Sequence, residues 1–125
     1  MYKIAICDDT QPLRRMLKEF VEVSLGMDEE YEVDEYSCGE EIIEATHKKY
    51  DVIFMDVDMG KLNGFDTARI IRKDIDKEAS IVFLTAHPQF LYGDWQEYGN
   101  GYLEKPIFLD DFTEILRKVL KLGEK

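Results

Sequence analysis

Three short runs of apolar residues constrain the fold of this chain more than any other feature. They lie at residues 4–7, 52–55 and 81–84, and each run is continuous rather than alternating. Continuous apolar runs of this length predict strands that are buried on both faces, as in a parallel sheet covered by helices. Segments with helical periodicity separate the runs, so the sequence predicts an α/β fold in which strands and helices alternate.

The predicted helices carry apolar residues three or four positions apart. The first helix begins at Thr10 or Gln11, with Pro12 in its first turn. We expect Gly123 to end the last helix, because glycine favours the left-handed position that follows a helix. Apolar stripes predict two further helices, at residues 65–71 and 112–120. Weaker signals predict a strand at 31–36, a short helix at 40–47, a helix of poor propensity at 88–100 and a short strand near 102–103.

Length and charge exclude several classes of protein. The chain has 125 residues, which predicts one domain over 1–125. Its 27 acidic and 16 basic residues give a net charge of -11, so neither direct nucleic-acid binding nor attraction to anionic membranes is expected. No apolar run is long enough to span a membrane, and two cysteines without a Cys-x-x-Cys motif fit a reducing cytoplasm.

Polar residues follow the predicted inner strands at the point where each strand ends. Asp8 and Asp9 follow the first run, and Asp56 follows the second. Thr85 follows the third run, and Lys105 follows the short fifth strand. Parallel strands point the same way, so their carboxyl ends meet at one edge, where ligands bind in such folds. The sequence therefore predicts that these five residues share a site.

Three carboxylates in one pocket repel each other unless a cation lies between them. A hard divalent ion such as Mg²⁺ suits this set, with Asp9 and Asp56 placed to bind it directly and Asp8 through water. A carboxylate beside Mg²⁺ can attack a phosphoryl group and form an aspartyl phosphate. In this hypothesis the Thr85 hydroxyl and the Lys105 ammonium contact the phosphoryl oxygens.

This set of residues resembles the signature of the receiver domains of two-component response regulators. The residues that carry the resemblance are Asp8-Asp9, Asp56, Thr85-Ala86 and Lys105-Pro106. The resemblance covers about residues 2–122 and implies a flavodoxin-like (βα)5 fold with a five-stranded parallel sheet in the order 2-1-3-4-5. It implies that Asp56 is the phosphoacceptor, that Mg²⁺ or Mn²⁺ is the cofactor, and that a sensor histidine kinase is the partner.

The resemblance also implies roles for positions around this site. The backbone carbonyl of Asp58 completes the metal site, and the peptide bond before Pro106 is expected to be cis. Gly64 matches the family glycine eight residues after the acceptor. Thr85 and Tyr102 match the switch residues, so the face made by the fourth helix, fifth strand and fifth helix is expected to change, and a homodimer could form through it.

The segment from Thr85 to Lys105 is similar to the receivers of LytTR-type transcriptional regulators. These carry a DNA-binding LytTR output domain, so we expect either a receiver from such a regulator or a stand-alone single-domain receiver that acts by protein-protein interaction. Three departures bear on rates and on the switching face: Gly60 replaces the usual proline, Asp58 adds an acid, and His87 lies near the site.

One enzyme and one binding module compete with this interpretation. Asp56-Val57-Asp58 after an apolar strand also fits a haloacid-dehalogenase-like phosphatase. In those enzymes the acidic pair comes last, whereas here Asp8-Asp9 comes first. The binding module is a pseudo-receiver that is never phosphorylated, and the intact set of five residues argues against it. We therefore expect a phosphoacceptor signalling domain rather than an enzyme with a separate substrate.

Overall fold

The computed structural model describes residues 1–45, 48–90 and 95–122. The strands are β1 Tyr2–Cys7, β2 Tyr31–Tyr36, β3 Val52–Asp56, β4 Ser80–Thr85 and β5 Gly101–Glu104. They form one parallel sheet in the order β2-β1-β3-β4-β5. The helices are α1 Gln11–Leu25, α2 Gly39–Glu44, α3 Gly64–Ile70, α4 Trp95–Tyr98 and α5 Leu109–Val119. The predicted flavodoxin-like α/β fold and its strand order are confirmed.

The continuous apolar runs are explained by two cores, one on each face of the sheet. Successive strand residues point to opposite faces. Ile4 and Phe54 therefore pack with α1 and α5, whereas Ala5 and Met55 pack with α2 and α3. The rings of Phe54 and Phe112 stack with their centroids 4.8 Å apart, which ties β3 to α5. Every residue of β3 is buried, which leaves no polar outer face and accounts for the unbroken run.

The start of α1 was predicted correctly, and the end of α5 was not. α1 begins at Gln11, directly after Thr10, with proline in its first turn. α5 ends at Val119, and Lys121 adopts the left-handed conformation, with φ 60°, that we expected of Gly123. The backbone N–H of Leu122 donates to the carbonyl of Arg117, 2.8 Å away, which closes this end of the helix. Gly123 itself lies outside the described residues.

Two helices with weak sequence signals are described only in part. The helix expected over 40–47 is α2, which ends at Glu44, and Thr46 and His47 lie outside the described residues. In the segment of poor helix propensity the structure describes a 3-10 turn at Pro88–Phe90 and α4 at Trp95–Tyr98, and residues 91–94 lie outside the described residues. α3 continues into a π-helical turn at Ile71–Ile75 that periodicity did not predict. In the described parts of the chain, no helix has the length and apolar character needed to cross a membrane.

Candidate functional site

The carboxyl edge of the sheet brings together the ends of β1, β3, β4 and β5. Cys7 pairs with Met55 across β1 and β3, so Asp8 and Asp56 lie side by side one residue further on. Asp56 pairs with Leu84, which places Thr85 just beyond the acid on the neighbouring strand. Lys105 follows β5, and its N–H donates to the carbonyl of Thr85, 2.7 Å away. The parallel topology therefore assembles these side chains from distant parts of the sequence.

Asp8, Asp9 and Asp56 lie together, and we call these three residues the carboxylate cluster. One oxygen from each lies within 4.8 Å of the others. Asp8 is fully buried and Asp56 is 1% exposed, whereas Asp9 faces solvent at the open side of the cluster. The donor set consists of carboxylate oxygens, which are the ligands that Mg²⁺ and Ca²⁺ prefer. One exposed acid beside two buried ones leaves a side of the cluster open to water, as Mg²⁺ sites commonly do.

Lys105 partly neutralises the carboxylate cluster. Its Nζ lies 3.1 Å from Oδ1 of Asp56 and 3.2 Å from Oδ2 of Asp8. Burial and the charge of Asp8 raise the pKa of Asp56 to about 6, although Lys105 opposes the shift. Burial lowers the pKa of Lys105, but the contacts with both acids outweigh it, and the net direction is upward. Three ionised carboxylates and one ammonium leave a formal charge of -2, which a divalent cation would balance.

The chain holds Asp8 in place through contacts that the sequence did not predict. Its Oδ1 accepts hydrogen bonds from the backbone N–H of Thr10 at 2.8 Å and from the Thr10 hydroxyl at 2.7 Å. The guanidinium of Arg14 donates to the backbone carbonyl of Asp8 at 2.6 Å and pairs with Glu35 at 3.2 Å. The Asp-x-Thr spacing is a turn signal that could have identified Thr10. No local signal points to Arg14, because its partner Glu35 is distant in sequence.

The two predicted switch residues lie in different surroundings. Thr85 is 3% exposed, and its hydroxyl oxygen accepts the backbone N–H of His87 at 3.0 Å. Tyr102 is 43% exposed, and its ring meets Trp95 edge-on, with centroids 5.7 Å apart and planes at 88°. Tyr102 therefore lies on the outer surface in this conformation, away from the carboxylate cluster. The contact between Trp95 and Tyr102 was not predicted from the sequence.

The loop after β3 is shaped around Asp56. The backbone N–H of Asp58 donates to Oδ1 of Asp56 at 3.3 Å, while the side chain of Asp58 is exposed. Gly60 has a φ of +24°, which a proline ring cannot adopt. A Cβ on Gly64 would lie 2.2 Å from the carbonyl oxygen of Asp56, so this contact requires glycine. The peptide bond between Lys105 and Pro106 is cis.

Comparison with known sequences gives one family and several relatives. A family profile described as the response regulator receiver domain matches residues 4–117. The chain is 30% identical over 122 residues to the sensory transduction protein LytT of Bacillus anthracis, which covers 97% of this chain and 48% of that protein. It is 32% identical over 108 residues to the transcriptional regulatory protein BtsR of Salmonella typhi, covering 86% of this chain and 43% of that protein. The chain thus spans less than half the length of these curated relatives.

Comparison with solved structures agrees with the fold described above. The response regulator protein TrrA of Thermotoga maritima, whose crystal structure is in complex with Mg(2+)-BeF, is 28% identical and has a TM-score of 0.82. The similarity covers 95% of this chain and 99% of that chain. The shared architecture extends over nearly all of both molecules, so it is a likeness of whole domains rather than of a local motif.

Proposed function

This chain belongs to the response regulator receiver domain family, and from that premise we propose that Asp56 accepts a phosphoryl group from a sensor histidine kinase. It is the receiver domain of a two-component response regulator, a signalling domain. The observation that carries the proposal is the position of Asp56, a buried carboxylate that lies beside Asp8 and 3.1 Å from the ammonium of Lys105, which also contacts Asp8. The repulsion between Asp56 and Asp8 favours a bound cation. The ammonium of Lys105 can pair with the negative charge of an incoming phosphoryl group.

In the proposed reaction an oxygen of the Asp56 carboxylate attacks the phosphorus of a phosphohistidine. The new O–P bond forms as the P–N bond breaks, and the imidazole of the donor leaves. Lys105 lies 3.1 Å from Asp56, so its ammonium can contact a phosphoryl oxygen without a large movement. The buried hydroxyl of Thr85 supplies a hydrogen-bond donor on the adjacent strand. Autophosphorylation and hydrolysis of the aspartyl phosphate are then reactions of the domain itself.

We assign the metal site to Asp8, Asp9 and Asp56, with the backbone carbonyl of Asp58 as a further ligand. Mg²⁺ or Mn²⁺ held there would offset the negative charge of the phosphoryl oxygens. Oxygen donors, a formal charge of -2 and an open solvent side support this assignment. The complex of TrrA from Thermotoga maritima with Mg(2+)-BeF supports it by analogy, because that protein is 28% identical to this chain.

Phosphorylation is proposed to act as a switch through Thr85 and Tyr102. A phosphoryl group adds about -1.5 to -2 charge and new acceptor oxygens next to Thr85. Movement of Thr85 toward them would open space behind it for the ring of Tyr102, which faces solvent in this conformation. The face of α4, β5 and α5 would then change its affinity for a partner, provided that the two conformations are already close in energy.

We infer that the domain controls a LytTR-type DNA-binding output domain in the full-length regulator. The relatives named LytT and BtsR support this, because each is about twice as long as the matched segment and one is named a transcriptional regulator. The free thiols of Cys7 and Cys38 fit the reducing cytoplasm in which such regulators would act. The coding sequence downstream of Lys125 tests the assignment of the output domain, and a continuous reading frame without a LytTR domain would refute it.

The central test is phosphorylation with acetyl phosphate and Mg²⁺, followed by intact mass measurement. We expect the wild-type chain to gain one phosphoryl group and the Asp56→Ala variant to gain none. The matched control is Glu22→Ala, which removes an exposed acid on α1 that has no part in the proposed site and should retain the gain. An unmodified wild-type chain, or an equal gain in Asp56→Ala, would refute the proposal. Addition of EDTA should abolish the gain if the carboxylate cluster holds the metal.

A further inference from the structure

The two acids that follow β1 are held by the rest of the chain to different degrees. Asp8 is buried, its Oδ1 accepts two hydrogen bonds from Thr10, and its Oδ2 lies 3.2 Å from Nζ of Lys105. The backbone N–H of Asp8 donates to the carbonyl of Tyr36 at 3.0 Å. Asp9 is exposed, and its side chain has no hydrogen-bond or ion-pair partner among the described residues. The orientation of the Asp9 carboxylate therefore depends on its backbone.

Arg14 contacts the peptide group that joins these two acids. Its guanidinium donates to the backbone carbonyl of Asp8 at 2.6 Å. The carbonyl of Asp8 and the backbone N–H of Asp9 belong to one planar peptide unit. A hydrogen bond that fixes the carbonyl therefore also fixes the plane from which the Cα of Asp9 extends. Through this peptide unit, Arg14 restricts the directions that the Asp9 carboxylate can take.

The guanidinium of Arg14 is itself anchored on the outer strand of the sheet. Its Nε lies 3.2 Å from Oε1 of Glu35 in β2, and Nζ of Lys18 lies 3.2 Å from Oε2 of the same acid. The Arg14 side chain is only 15% exposed, so the pair with Glu35 is partly shielded from water. A guanidinium is planar and its N–H donors have a fixed arrangement. The Asp8 carbonyl and the Glu35 carboxylate therefore fix both its position and its orientation.

We propose that Arg14 is a positioning residue for the metal site. The inference rests on the proposed function, which assigns Mg²⁺ or Mn²⁺ to the carboxylate cluster. Arg14 holds the peptide unit between Asp8 and Asp9 so that an oxygen of Asp9 stays within 4.8 Å of the other two acids. Groups that orient metal ligands support affinity without touching the ion. Arg14 acts in this way through the backbone of a ligand rather than through its side chain.

Charge and position predict opposite results when Arg14 is replaced. A positive charge near a cation site repels the ion, so removal of the charge alone should strengthen Mg²⁺ binding. Loss of the fixed peptide unit should weaken binding, because the Asp9 carboxylate must then be ordered when the ion binds. Glu35 partly neutralises Arg14, which keeps the effect of charge small. A net loss of affinity would therefore identify positioning as the dominant effect.

The test measures Mn²⁺ binding to the unphosphorylated chain by electron paramagnetic resonance of the free ion. The variants are Arg14→Met and Arg14→Lys. We expect Kd to rise about tenfold in Arg14→Met, as for other groups that orient metal ligands. Arg14→Lys keeps the charge, but an ammonium lacks the fixed fork that spans two anchors. Its Kd should therefore still rise by at least about threefold.

The matched control is Arg15→Met, which removes the same charge from an exposed neighbouring position of α1. It should bind Mn²⁺ as tightly as the wild type or slightly more tightly. Urea denaturation of each variant shows whether it is folded under the conditions of the binding measurement. If Arg14→Met does not fold, the comparison of Arg14→Lys with the wild type decides the result.

A second measurement separates positioning of the metal ligands from a general effect on the fold. The rate of phosphorylation by acetyl phosphate is measured against Mg²⁺ concentration. In the Arg14 variants the half-saturating Mg²⁺ concentration should rise with Kd, while the rate at saturating Mg²⁺ should stay within about twofold of the wild type. A residue that only stabilised the fold would lower the free energy of unfolding and leave the affinity of the folded protein for Mn²⁺ unchanged.

Four results would overturn the inference. They are an unchanged or lower Kd in Arg14→Met, wild-type affinity in Arg14→Lys, an equal loss of affinity in Arg15→Met, and a wild type that binds no Mn²⁺. The last result would also overturn the proposed metal site. Phosphorylation of Asp56 is measured separately by intact mass. A normal gain of mass with unchanged Mn²⁺ affinity in the Arg14 variants would refute this inference and leave the proposed function standing.

Discussion

Two regions of the molecule carry acidic side chains in different surroundings. One is the buried carboxylate cluster, and the other is the β5–α5 groove, a shallow groove between β5 and α5 lined by Tyr102, Glu104 and Glu114 among others. Asp8 and Asp56 are buried, and Lys105 bridges them. Glu104 and Glu114 are exposed, and no described side chain pairs with them. In the cluster, loss of water raises the pKa of Asp56 to about 6. At the groove, water screens the charges, and their free energy changes little until a partner excludes that water.

Net charge alone therefore does not identify the class of ligand that an acidic protein binds. A buried group of carboxylates fits a small cation that enters with few waters removed. An exposed row of carboxylates beside apolar side chains fits a larger partner that covers both. The same residue type therefore meets a different environment in each region, buried beside an ammonium in one and hydrated in the other. Substitutions in each region can break or sharpen this contrast.

The largest effect is expected from Gly64→Ala. The added Cβ would lie 2.2 Å from the carbonyl oxygen of Asp56 and 2.9 Å from the Cα of Val57, and backbone atoms cannot move aside as a side chain can. We expect a loss of about 4 kcal/mol or more in the free energy of unfolding, measured by urea denaturation. The control is Gly60→Ala in the same loop, where nothing lies within 4 Å of the added Cβ.

The Gly60→Ala control still places alanine at a φ of +24°, so it should cost about 1 to 2 kcal/mol. Each variant replaces one glycine, so the expected difference in stability comes from the overlap of the added Cβ of residue 64 with backbone atoms. A Gly64→Ala variant as stable as Gly60→Ala would show that the loop can move away from Asp56. The cluster would then be less rigidly built than its contacts indicate.

A medium effect on stability is expected from removing the negative charge of Asp56. Asp56→Asn should stabilise the protein in EDTA at neutral pH by roughly 2 to 3 kcal/mol, because it removes a carboxylate whose pKa is raised to about 6 by burial and by Asp8. Glu114→Gln makes the same change at an exposed position and should alter the free energy of unfolding by less than about 0.5 kcal/mol. Equal stabilisation by both variants would indicate a response to net charge alone.

The pH dependence of Asp56 has a definite sign. The folded protein holds the Asp56 proton more tightly than the unfolded chain, because the pKa rises from 3.8 to about 6 on folding. The wild type in EDTA should therefore lose stability relative to Asp56→Asn as the pH rises from about 4 to about 6. Above that range the difference should stay constant. A difference that instead grows as the pH falls would contradict burial as the cause of the shift.

The sequence predicted the fold and the carboxylate cluster because both depend on strands. An unbroken run such as residues 52–55 is explained by burial on both faces, and strand ends in a parallel sheet share an edge. The juxtaposition of Asp8, Asp56 and Lys105 follows from that topology alone. By contrast, the contact of Arg14 with the Asp8 carbonyl depends on how α1 lies on the sheet. Periodicity gives the buried face of a helix but not the contact of one guanidinium.

Helix ends and irregular turns were predicted less well, because distant contacts decide them. The π-helical turn at Ile71–Ile75 lies where Arg72 donates to the carbonyl of Tyr98 at 3.0 Å and to Asn100 at 2.8 Å. These partners come from beyond β4, so no local pattern reveals them. The β5–α5 groove is a similar case. Its residues are readable in the sequence, but their exposure and lack of ion pairs are properties of the folded surface.

The smallest effect is expected from the contact between Trp95 and Tyr102 beside the groove. Their edge-on geometry should contribute about 0.5 to 1.5 kcal/mol beyond the area that the rings bury. A double-mutant cycle with Trp95→Leu and Tyr102→Leu measures this coupling from the unfolding free energies. Trp95 is the single tryptophan of the chain, so its emission also reports on Tyr102.

If Tyr102 turns inward on phosphorylation, Trp95 loses this neighbour. The emission of the wild type should then change on treatment with acetyl phosphate and Mg²⁺, and that of Tyr102→Leu should change less. A coupling energy near zero, together with equal emission changes in both proteins, would show that the two rings touch without stabilising each other. The contact with Trp95 would then not explain why Tyr102 points outward in this conformation.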